Sequence, residues 1–223
     1  MAGSGEGRAP LRRFNCGMNL WQRIGARLYD PFLWLGERRG MERHRAELLE
    51  GARGRVLEIG AGTGLNLRHY PAAVSELVLT EPTEAMARAL ERRLARDGAG
   101  GSVHRAFAED LPFPGDSFDT VVSTMVLCTV EDPELAIAEI ERVLRPGGRL
   151  LFIEHLRSDH ERWARWQDRL ERPWKAFGDG CRCNRPTLEL LGRSGLVLGG
   201  VARRRWRGMP PVVGPLAIGR AAL

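Results

Sequence analysis

The residues best suited to chemistry in this chain lie in one short stretch, Val56–Gly64, where an aliphatic run ends in three glycines at alternate positions. Glu58 lies two residues before the first of these glycines. The pattern predicts a buried strand, a tight turn and a helix start, because glycine adopts positive φ and lets a ligand approach the backbone. The spacing differs from the G-x-G-x-x-G of a dinucleotide loop, and no lysine follows it as in a phosphate loop. A turn in an unrelated α/β protein is the alternative for this loop alone.

A second predicted strand, Glu76–Thr80, ends in the acidic Glu81, about 20 residues after the loop, where α/β folds place a ribose ligand. A carboxylate there can accept both ribose hydroxyls. Three further motifs follow in order: Ala108–Pro114, Ser117–Asp119 and Arg142–Gly148. Together with the loop and Glu81, they resemble the Rossmann-like S-adenosylmethionine (SAM) methyltransferases, a superfamily that includes quinone- and sterol-methylating enzymes.

This resemblance implies an α/β, Rossmann-like fold of seven strands, mostly parallel with an antiparallel C-terminal pair, and SAM as cofactor. The glycine loop would surround the methionine part, Glu81 would hold the ribose, and Glu109 would lie beside the adenine. Many relatives carry an aspartate where this chain has Phe107, so Glu109 or a backbone group must hold the adenine amine. The cofactor-binding residues implied are Glu58, Gly60, Ala61, Gly62, Gly64, Asn66, Glu81, Pro82, Ala108, Glu109 and Ser123.

The remaining pattern alternates strand and helix, which favours a parallel sheet. We expect residues 1–50 to form a disordered stretch and a helical cover over the cofactor, and residues 51–223 to form the methyltransferase domain. Asp132-Pro133 should begin a helix with Leu135, Ile140 and Leu144 on its apolar face, which Pro146-Gly147-Gly148 ends. Further strands are expected at Arg55–Ile59, Ser102–Phe107, Phe118–Ser123 and Arg149–Ile153, with a final pair at Leu196–Val201 and Val212–Ile218.

A helix is also expected over Ser158–Phe177, after the fifth strand, where this fold inserts its substrate cover. Its apolar stripe consists of Trp163, Trp166, Leu170 and Trp174. Such a stripe more often packs against a core than forms a site, although its aromatic residues also suit a small apolar or aromatic acceptor. A last helix is expected over Thr187–Ser194.

A second set of residues resembles one branch of the superfamily more closely. It comprises Val126–Val130, Glu154-His155, Trp166-Gln167, Asp179–Cys181 and Asn184-Arg185. These are similar to the methyltransferase-like thiol S-methyltransferases and their bacterial relatives, from about Tyr29 to the C-terminus. The resemblance implies methyl transfer to a small-molecule acceptor, a thiol first of all. Quinone or phenol methyltransferases share the cofactor motifs but fit the Asp179–Arg185 region less well.

The candidate catalytic residues are His155 and Asp179. A thiolate needs little activation beyond loss of its proton, since a free thiol has a pKa of about 8.5. His155 follows the fifth strand at the ligand edge of the sheet, and imidazole suits base work near neutral pH. The alternative role of His155 is a structural hydrogen bond to a loop carbonyl, and the alternative role of Asp179 is that of a turn residue.

The cysteines give weaker signals. Cys128 is more often a small buried apolar residue than a chemical group. Cys181 and Cys183 form a C-x-C pair, which is a weak metal signal, and no metal is predicted. An arsenite methyltransferase would bind its substrate through several cysteines, but this pair does not reproduce that pattern. The alternative to an enzyme is a protein that binds SAM without catalysing methyl transfer.

Composition limits the partners. The formal charge is +6, but the arginines are interleaved with acidic residues, which favours a solvated mixed-charge surface over nucleic-acid binding. Four cysteines without a C-x-x-C pair suit a reducing compartment. No run of about 18 apolar residues occurs, and residues 1–10 do not form a secretory signal. We therefore expect a cytoplasmic enzyme with a small-molecule acceptor and no stable membrane insertion.

Overall fold

A computed structural model of the protein describes residues 29–178 and 180–223. Its seven strands form one sheet in the order β3-β2-β1-β4-β5-β7-β6. The strands are β1 (Gly54–Ile59), β2 (Val74–Thr80), β3 (Ser102–His104), β4 (Phe118–Thr124), β5 (Leu144–His155), β6 (Val197–Arg205) and β7 (Pro215–Ala222). The helices are α1 (residues 29–36), α2 (Glu42–Leu49), α3 (Glu84–Asp97), α4 (Pro133–Val143), α5 (Glu161–Phe177) and α6 (Thr187–Gly192).

The first five strands pair in parallel, whereas β7 runs antiparallel to both β5 and β6. The predicted mixed sheet is therefore confirmed. The strand order reverses between β1 and β4, because β2 and β3 lie on one side of β1 and the later strands lie on the other. In open α/β sheets, ligands bind outside the carboxyl ends of the strands at such a switch point.

The strand centres form the core. The β1 residues Val56, Leu57 and Ile59 are fully buried, and so are the aliphatic residues of β4 and β5. Continuous apolar runs of this kind are expected where helices cover both faces of a parallel sheet. α2 closes one face through Leu49, and α4 closes the other through Ile140. Because the strand centres are apolar, the polar side chains that could bind a ligand or take part in a reaction lie at the strand ends.

The chain between α4 and β5 differs from the sequence prediction. α4 ends at Val143, and Leu144 already has extended backbone angles and pairs with Phe118 of β4. The segment Pro146-Gly147-Gly148 thus lies inside β5, where Gly147 has φ +75° beside a register shift. The predicted apolar face of α4 was also partly wrong, because Leu135 is 48% exposed and Ile137 is buried instead.

The tryptophan stripe of α5 packs less than expected. Trp163 and Trp166 are 43% and 50% exposed, so the prediction that these two side chains pack against the core is wrong. The side of α5 that faces the protein carries Ala164 and Gln167, both buried. No helix among the described residues has the length and the apolar composition needed to cross a membrane.

Candidate active site

The glycine loop follows β1 at the switch point. Gly60 has φ +56°, and an added Cβ would lie 2.7 Å from a methyl carbon of Val126, so a side chain would fit neither its backbone angles nor its space. Gly62 also has a positive φ, +57°, but nothing lies within 4 Å of the position that its Cβ would take. The loop is thus packed at Gly60 and open at Gly62, where a ligand can reach the backbone.

Glu81 follows β2 and holds this loop in place. Its Oε2 accepts a hydrogen bond from the Gly62 amide at 3.0 Å, and its Oε1 accepts one from the Thr83 amide at 2.8 Å. The carboxylate is buried. Since an ionised carboxylate offers about four acceptor sites, it can accept further hydrogen bonds from a ligand. The predicted ribose acceptor therefore lies directly against the predicted cofactor loop.

Glu58 is enclosed beneath the loop. Asn66 donates its amide to one carboxylate oxygen at 2.8 Å, and the Tyr70 hydroxyl donates to the other at 2.7 Å. Burial is the largest influence on this group and raises the pKa of Glu58 to about 7, while these donors and Arg45 oppose the rise. Glu58 and Asn66 thus lie together, but as a support below the loop.

Sequence reasoning missed the residues that tie the first helices to this support. Arg45 of α2 forms a buried ion pair with Glu37, at 3.1 Å, and also donates to Asn66 Oδ1 at 3.0 Å and to the Thr124 hydroxyl at 3.2 Å. Asp30 accepts a hydrogen bond from the Thr63 hydroxyl of the loop. Charged residues in the predicted helical cover gave no signal that they would be buried together.

The residues predicted beside the adenine lie in the segment after β3. Ala108 is buried, and the Glu109 carboxylate accepts a hydrogen bond from the Glu131 amide at 2.9 Å. The Pro82 carbonyl accepts a hydrogen bond from Arg105 at 3.0 Å. The predicted strand is shorter than expected, because β3 ends at His104. Glu109 therefore connects this segment to the chain that follows β4.

Ser123 lies at the end of β4, fully buried, and donates its hydroxyl to Glu154 at 2.7 Å. The Glu154 carboxylate also accepts hydrogen bonds from the amides of Val126, Leu127 and Cys128. Burial raises the pKa of Glu154, and these donors oppose the rise. One carboxylate at the end of β5 thus fixes the turn that follows β4.

His155 is the last residue of β5, and it lies against two thiols. Its Nδ1 is 3.4 Å from the sulfur of Cys128 and 3.4 Å from the sulfur of Cys181, and the two sulfurs are 3.7 Å apart. All three side chains are buried. The Nε2 atom of His155 is buried with no hydrogen-bond partner among the described residues. The ring lies beside Trp206, with 5.7 Å between ring centroids.

The electrostatics of this Cys128–His155–Cys181 cluster favour a thiolate at one position. The pKa of Cys181 is lowered to about 4. The hydrogen bond with Cys128 is the largest cause, the facing imidazole adds to it, and burial opposes the shift. Burial disfavours a charged imidazole, but Cys181 and Glu154 together raise the pKa of His155 above its ordinary value. A Cys181 thiolate can accept the Nδ1 hydrogen of His155, which leaves the Nε2 lone pair free, as an acidic partner does in a catalytic triad.

The cluster unites residues that the sequence analysis treated separately. Cys128 was given a packing role, and the C-x-C pair suggested that Cys181 belongs with Cys183, yet Cys181 lies against Cys128 instead. Burial raises the pKa of Cys183 to about 12. The other catalytic candidate, Asp179, lies outside the described residues.

Comparison with known proteins places these features in a family. A methyltransferase-domain family model matches residues 57–152. The chain is 35% identical to the thiol S-methyltransferase TMT1B of Homo sapiens over 195 residues, which is 78% of this chain and 77% of that protein. It is 40% identical to the demethylmenaquinone methyltransferase of Clavibacter sepedonicus, over 45% of this chain and 40% of that protein.

Solved structures agree on the fold. A SAM-dependent methyltransferase from Thermotoga maritima superposes with a TM-score of 0.64 at 23% identity, covering 89% of this chain and 98% of that one. One from Mesorhizobium loti gives 0.61 at 19% identity, covering 82% and 97%. The family match and the similarity to the thiol S-methyltransferase establish a methyltransferase that uses SAM. The chain belongs to the class I SAM-dependent methyltransferases, close to the thiol S-methyltransferase family within them.

Proposed function

We propose that this enzyme methylates the sulfur of a small apolar thiol, with His155 as the proton acceptor. The observation that carries the proposal is the buried Nε2 of His155, which has no hydrogen-bond partner among the described residues. The same imidazole contacts the sulfurs of Cys128 and Cys181 through its other nitrogen and lies beside the Trp206 ring. The similarity to thiol S-methyltransferases supports it, because it extends over more than three quarters of this chain.

The cofactor residues fit SAM at the open side of the glycine loop. In this proposal the Gly60–Gly64 loop and Ala61 receive the methionine part, with Glu58 and Asn66 supporting the loop from below. Glu81 accepts the ribose hydroxyls, with Pro82 beside it, and Ala108 and Glu109 border the adenine. Ser123 acts through its hydrogen bond to Glu154, which keeps the turn after β4 in position.

The strand pairing brings the two parts of the site together. Ile59 of β1 pairs with Ser123 of β4, and the neighbouring Thr124 pairs with Ile153 of β5. β1 and β5 are therefore two strand spacings apart, which is about 10 Å. Gly60 and His155 both follow these paired positions, so the glycine loop and the imidazole lie at the same edge of the sheet.

Methyl transfer requires alignment, exclusion of water and removal of one proton. SAM supplies an electrophilic methyl carbon on a sulfonium. The chain contributes Met125, Trp206 and Met209, which contact the cluster and its surroundings and exclude water. A thiol bound beside His155 would give its proton to Nε2 while Cys181 holds Nδ1. The acceptor sulfur would then be a thiolate, the form that can take a methyl group from a sulfonium.

The test compares two classes of thiol. His155→Gln should lower turnover of an alkyl thiol, which is protonated at neutral pH, by roughly 10²-fold, the usual value of a general base. An aryl thiol is largely ionised already, so its turnover should fall much less. SAM affinity, measured by calorimetry, should stay unchanged. His104→Gln is the matched control, because His104 is exposed on the edge strand β3.

Two results would contradict this proposal. If His155→Gln lowered turnover equally with both thiols, His155 would not act as the base and would only align the acceptor. Transfer to a quinol or phenol but to no thiol would favour carbon or oxygen methylation, for which the demethylmenaquinone relative is the precedent.

A cytoplasmic location is part of the proposal. Cys128, Cys181 and Cys183 are all free thiols, as expected in a reducing compartment. Fractionation of cells should recover the native protein with cytosolic enzymes, and recovery in a carbonate-resistant membrane pellet would contradict this.

A further inference from the structure

We propose that Cys128, His155 and Cys181 form a binding site for a thiophilic d¹⁰ cation of the zinc class. Their three ligand atoms, two sulfurs and one ring nitrogen, all lie within 4.8 Å of one another, and the three residues are buried. Thiolate and imidazole are the ligands that such cations prefer. The cluster is therefore chemically matched to one kind of ion.

The spacing of the three atoms matches the face of a tetrahedral centre. Bonds of about 2.3 Å to sulfur and about 2.0–2.1 Å to nitrogen place two sulfurs about 3.8 Å apart and sulfur and nitrogen about 3.5–3.6 Å apart. The observed separations are 3.7 Å between the sulfurs and 3.4 Å from each sulfur to Nδ1. All three edges thus agree with the ideal values to within about 0.2 Å, so little movement is needed to bind an ion.

Hydrogen bonding alone does not account for this arrangement. A ring nitrogen carries either one lone pair or one hydrogen, so Nδ1 forms one good hydrogen bond. Both sulfurs nevertheless lie equally close to it. A single ion accounts for all three contacts at once.

The charges also balance. Two thiolates and a neutral imidazole around a divalent cation give no net charge, and a buried uncompensated charge would be costly. Glu154 does not compete for the ion, since both its oxygens already accept hydrogen bonds from Ser123 and backbone amides. The ion would therefore have three protein ligands and one open position.

The three ligands lie on segments that hydrogen bonds fix to one another. Cys128 is in the turn held by Glu154, and His155 ends β5, an interior strand of the sheet. The Cys181 segment is attached by the Arg182 amide, which donates to the Cys128 carbonyl at 2.8 Å, and by Arg185, which donates to the Leu127 carbonyl at 2.7 Å. Ligands placed on such supported segments are preorganised for binding.

Ion binding has a consequence that rests on the proposed function, although the site itself does not. A cation on Nδ1 forces the ring hydrogen onto Nε2, which can then accept no proton. The bound ion would thus inhibit methylation of an alkyl thiol. It would act as a reversible inhibitor at the acceptor end of the site.

The experiment titrates the reduced, chelator-treated protein with Zn²⁺ or Cd²⁺, without SAM or acceptor. A Cys16→Ser background removes the one cysteine outside the cluster region. We expect one ion per chain in native mass spectrometry and, with Cd²⁺, a thiolate-to-metal absorbance band. Cys128→Ser, Cys181→Ser and His155→Gln should each weaken binding on the order of 100-fold or more, since each removes a ligand.

Cys183→Ser is the matched control, because it makes the same change two residues from Cys181 and should keep the ion. Each variant must bind SAM normally by calorimetry, which shows that it is folded. The proposal is overturned if the fully reduced protein binds no ion, or if ion binding survives Cys128→Ser and Cys181→Ser together. If the ion binds but alkyl-thiol turnover is unaffected, the site stands and the base role of His155 fails.

Discussion

The two ends of the proposed active site differ in composition. The cofactor end, around the glycine loop, is a polar network in which Glu58, Asn66 and Arg45 satisfy one another through short hydrogen bonds. The acceptor end, around His155, is apolar and rich in sulfur, and its imidazole keeps one buried nitrogen without a partner among the described residues. The polar side chains of the cofactor end thus satisfy one another, whereas the acceptor end keeps one imidazole nitrogen that can accept a proton.

This difference follows from what each end must do. A cofactor loop must keep one shape, and a satisfied buried network rigidifies it. An acceptor site must instead favour a thiolate and exclude water, which apolar and polarizable side chains do. Substitutions at the cofactor end should therefore affect stability and SAM affinity, whereas those at the acceptor end should affect turnover and metal binding.

The largest effect is expected for Arg45→Met. It leaves the Glu37 carboxylate buried without its partner, which typically costs about 3–5 kcal/mol in the free energy of unfolding. SAM affinity should fall as well, because Asn66 and Thr124 lose a donor. Chemical denaturation and calorimetry measure the two effects.

The double variant Glu37→Met with Arg45→Met is the control. It removes both charges, so most of the stability should return while SAM binding stays weak. A loss below about 1 kcal/mol in the single variant would mean that this ion pair behaves like an exposed one, and the contrast between the two ends would weaken.

Glu81→Ala should give the next effect, on SAM affinity. Loss of a charged acceptor for the ribose hydroxyls costs on the order of 1.5–3 kcal/mol, or about 10- to 100-fold in the dissociation constant. The Gly62 and Thr83 amides also lose their acceptor, so the loop itself should loosen. Glu76→Ala, at the exposed start of β2, should leave SAM affinity unchanged. Equal affinity in Glu81→Ala and wild type would place the ribose elsewhere.

The same contrast explains what the sequence predicted. The cofactor loop and Glu81 come from contiguous motifs, and the strand positions around them were predicted to within about two residues. The acceptor end is assembled from residues as far as 53 positions apart, so no local pattern predicts that Cys128 meets Cys181. His155 was found because it follows a predicted strand and belongs to the Glu154-His155 pair that resembles the thiol S-methyltransferases.

Tertiary contacts also overrode local signals. Pro146-Gly147-Gly148 should have separated helix from strand, but pairing with β4 extends β5 back to Leu144. The last two strands were predicted to end too early, at Val201 and Ile218, whereas β6 continues to Arg205 and β7 to Ala222. Exposed charges suit β6, which is an edge strand of this sheet.

The smallest effect is a pH dependence at Glu58. Its pKa is raised from 4.5 to about 7, so the folded protein holds this proton more tightly than the unfolded chain does. The resulting stabilisation is complete below pH 4.5 and is lost as the pH rises through 7. Glu58→Gln keeps the shape without titrating. The free energy of unfolding of wild type minus that of Glu58→Gln should fall by about 1–3 kcal/mol between pH 4.5 and 8.

Urea denaturation of both proteins across this range, without SAM, measures the difference, and taking the difference cancels every other titrating group. Glu76→Gln provides a control for the substitution itself, because Glu76 lies on the exposed part of β2. A difference for Glu58 that rises with pH would mean that Asn66, Tyr70 and Arg45 hold the carboxylate ionised. The cofactor end would then hold an ionised carboxylate, as exposed charged clusters do. Burial of Glu58 would in that case not distinguish the cofactor end from the acceptor end.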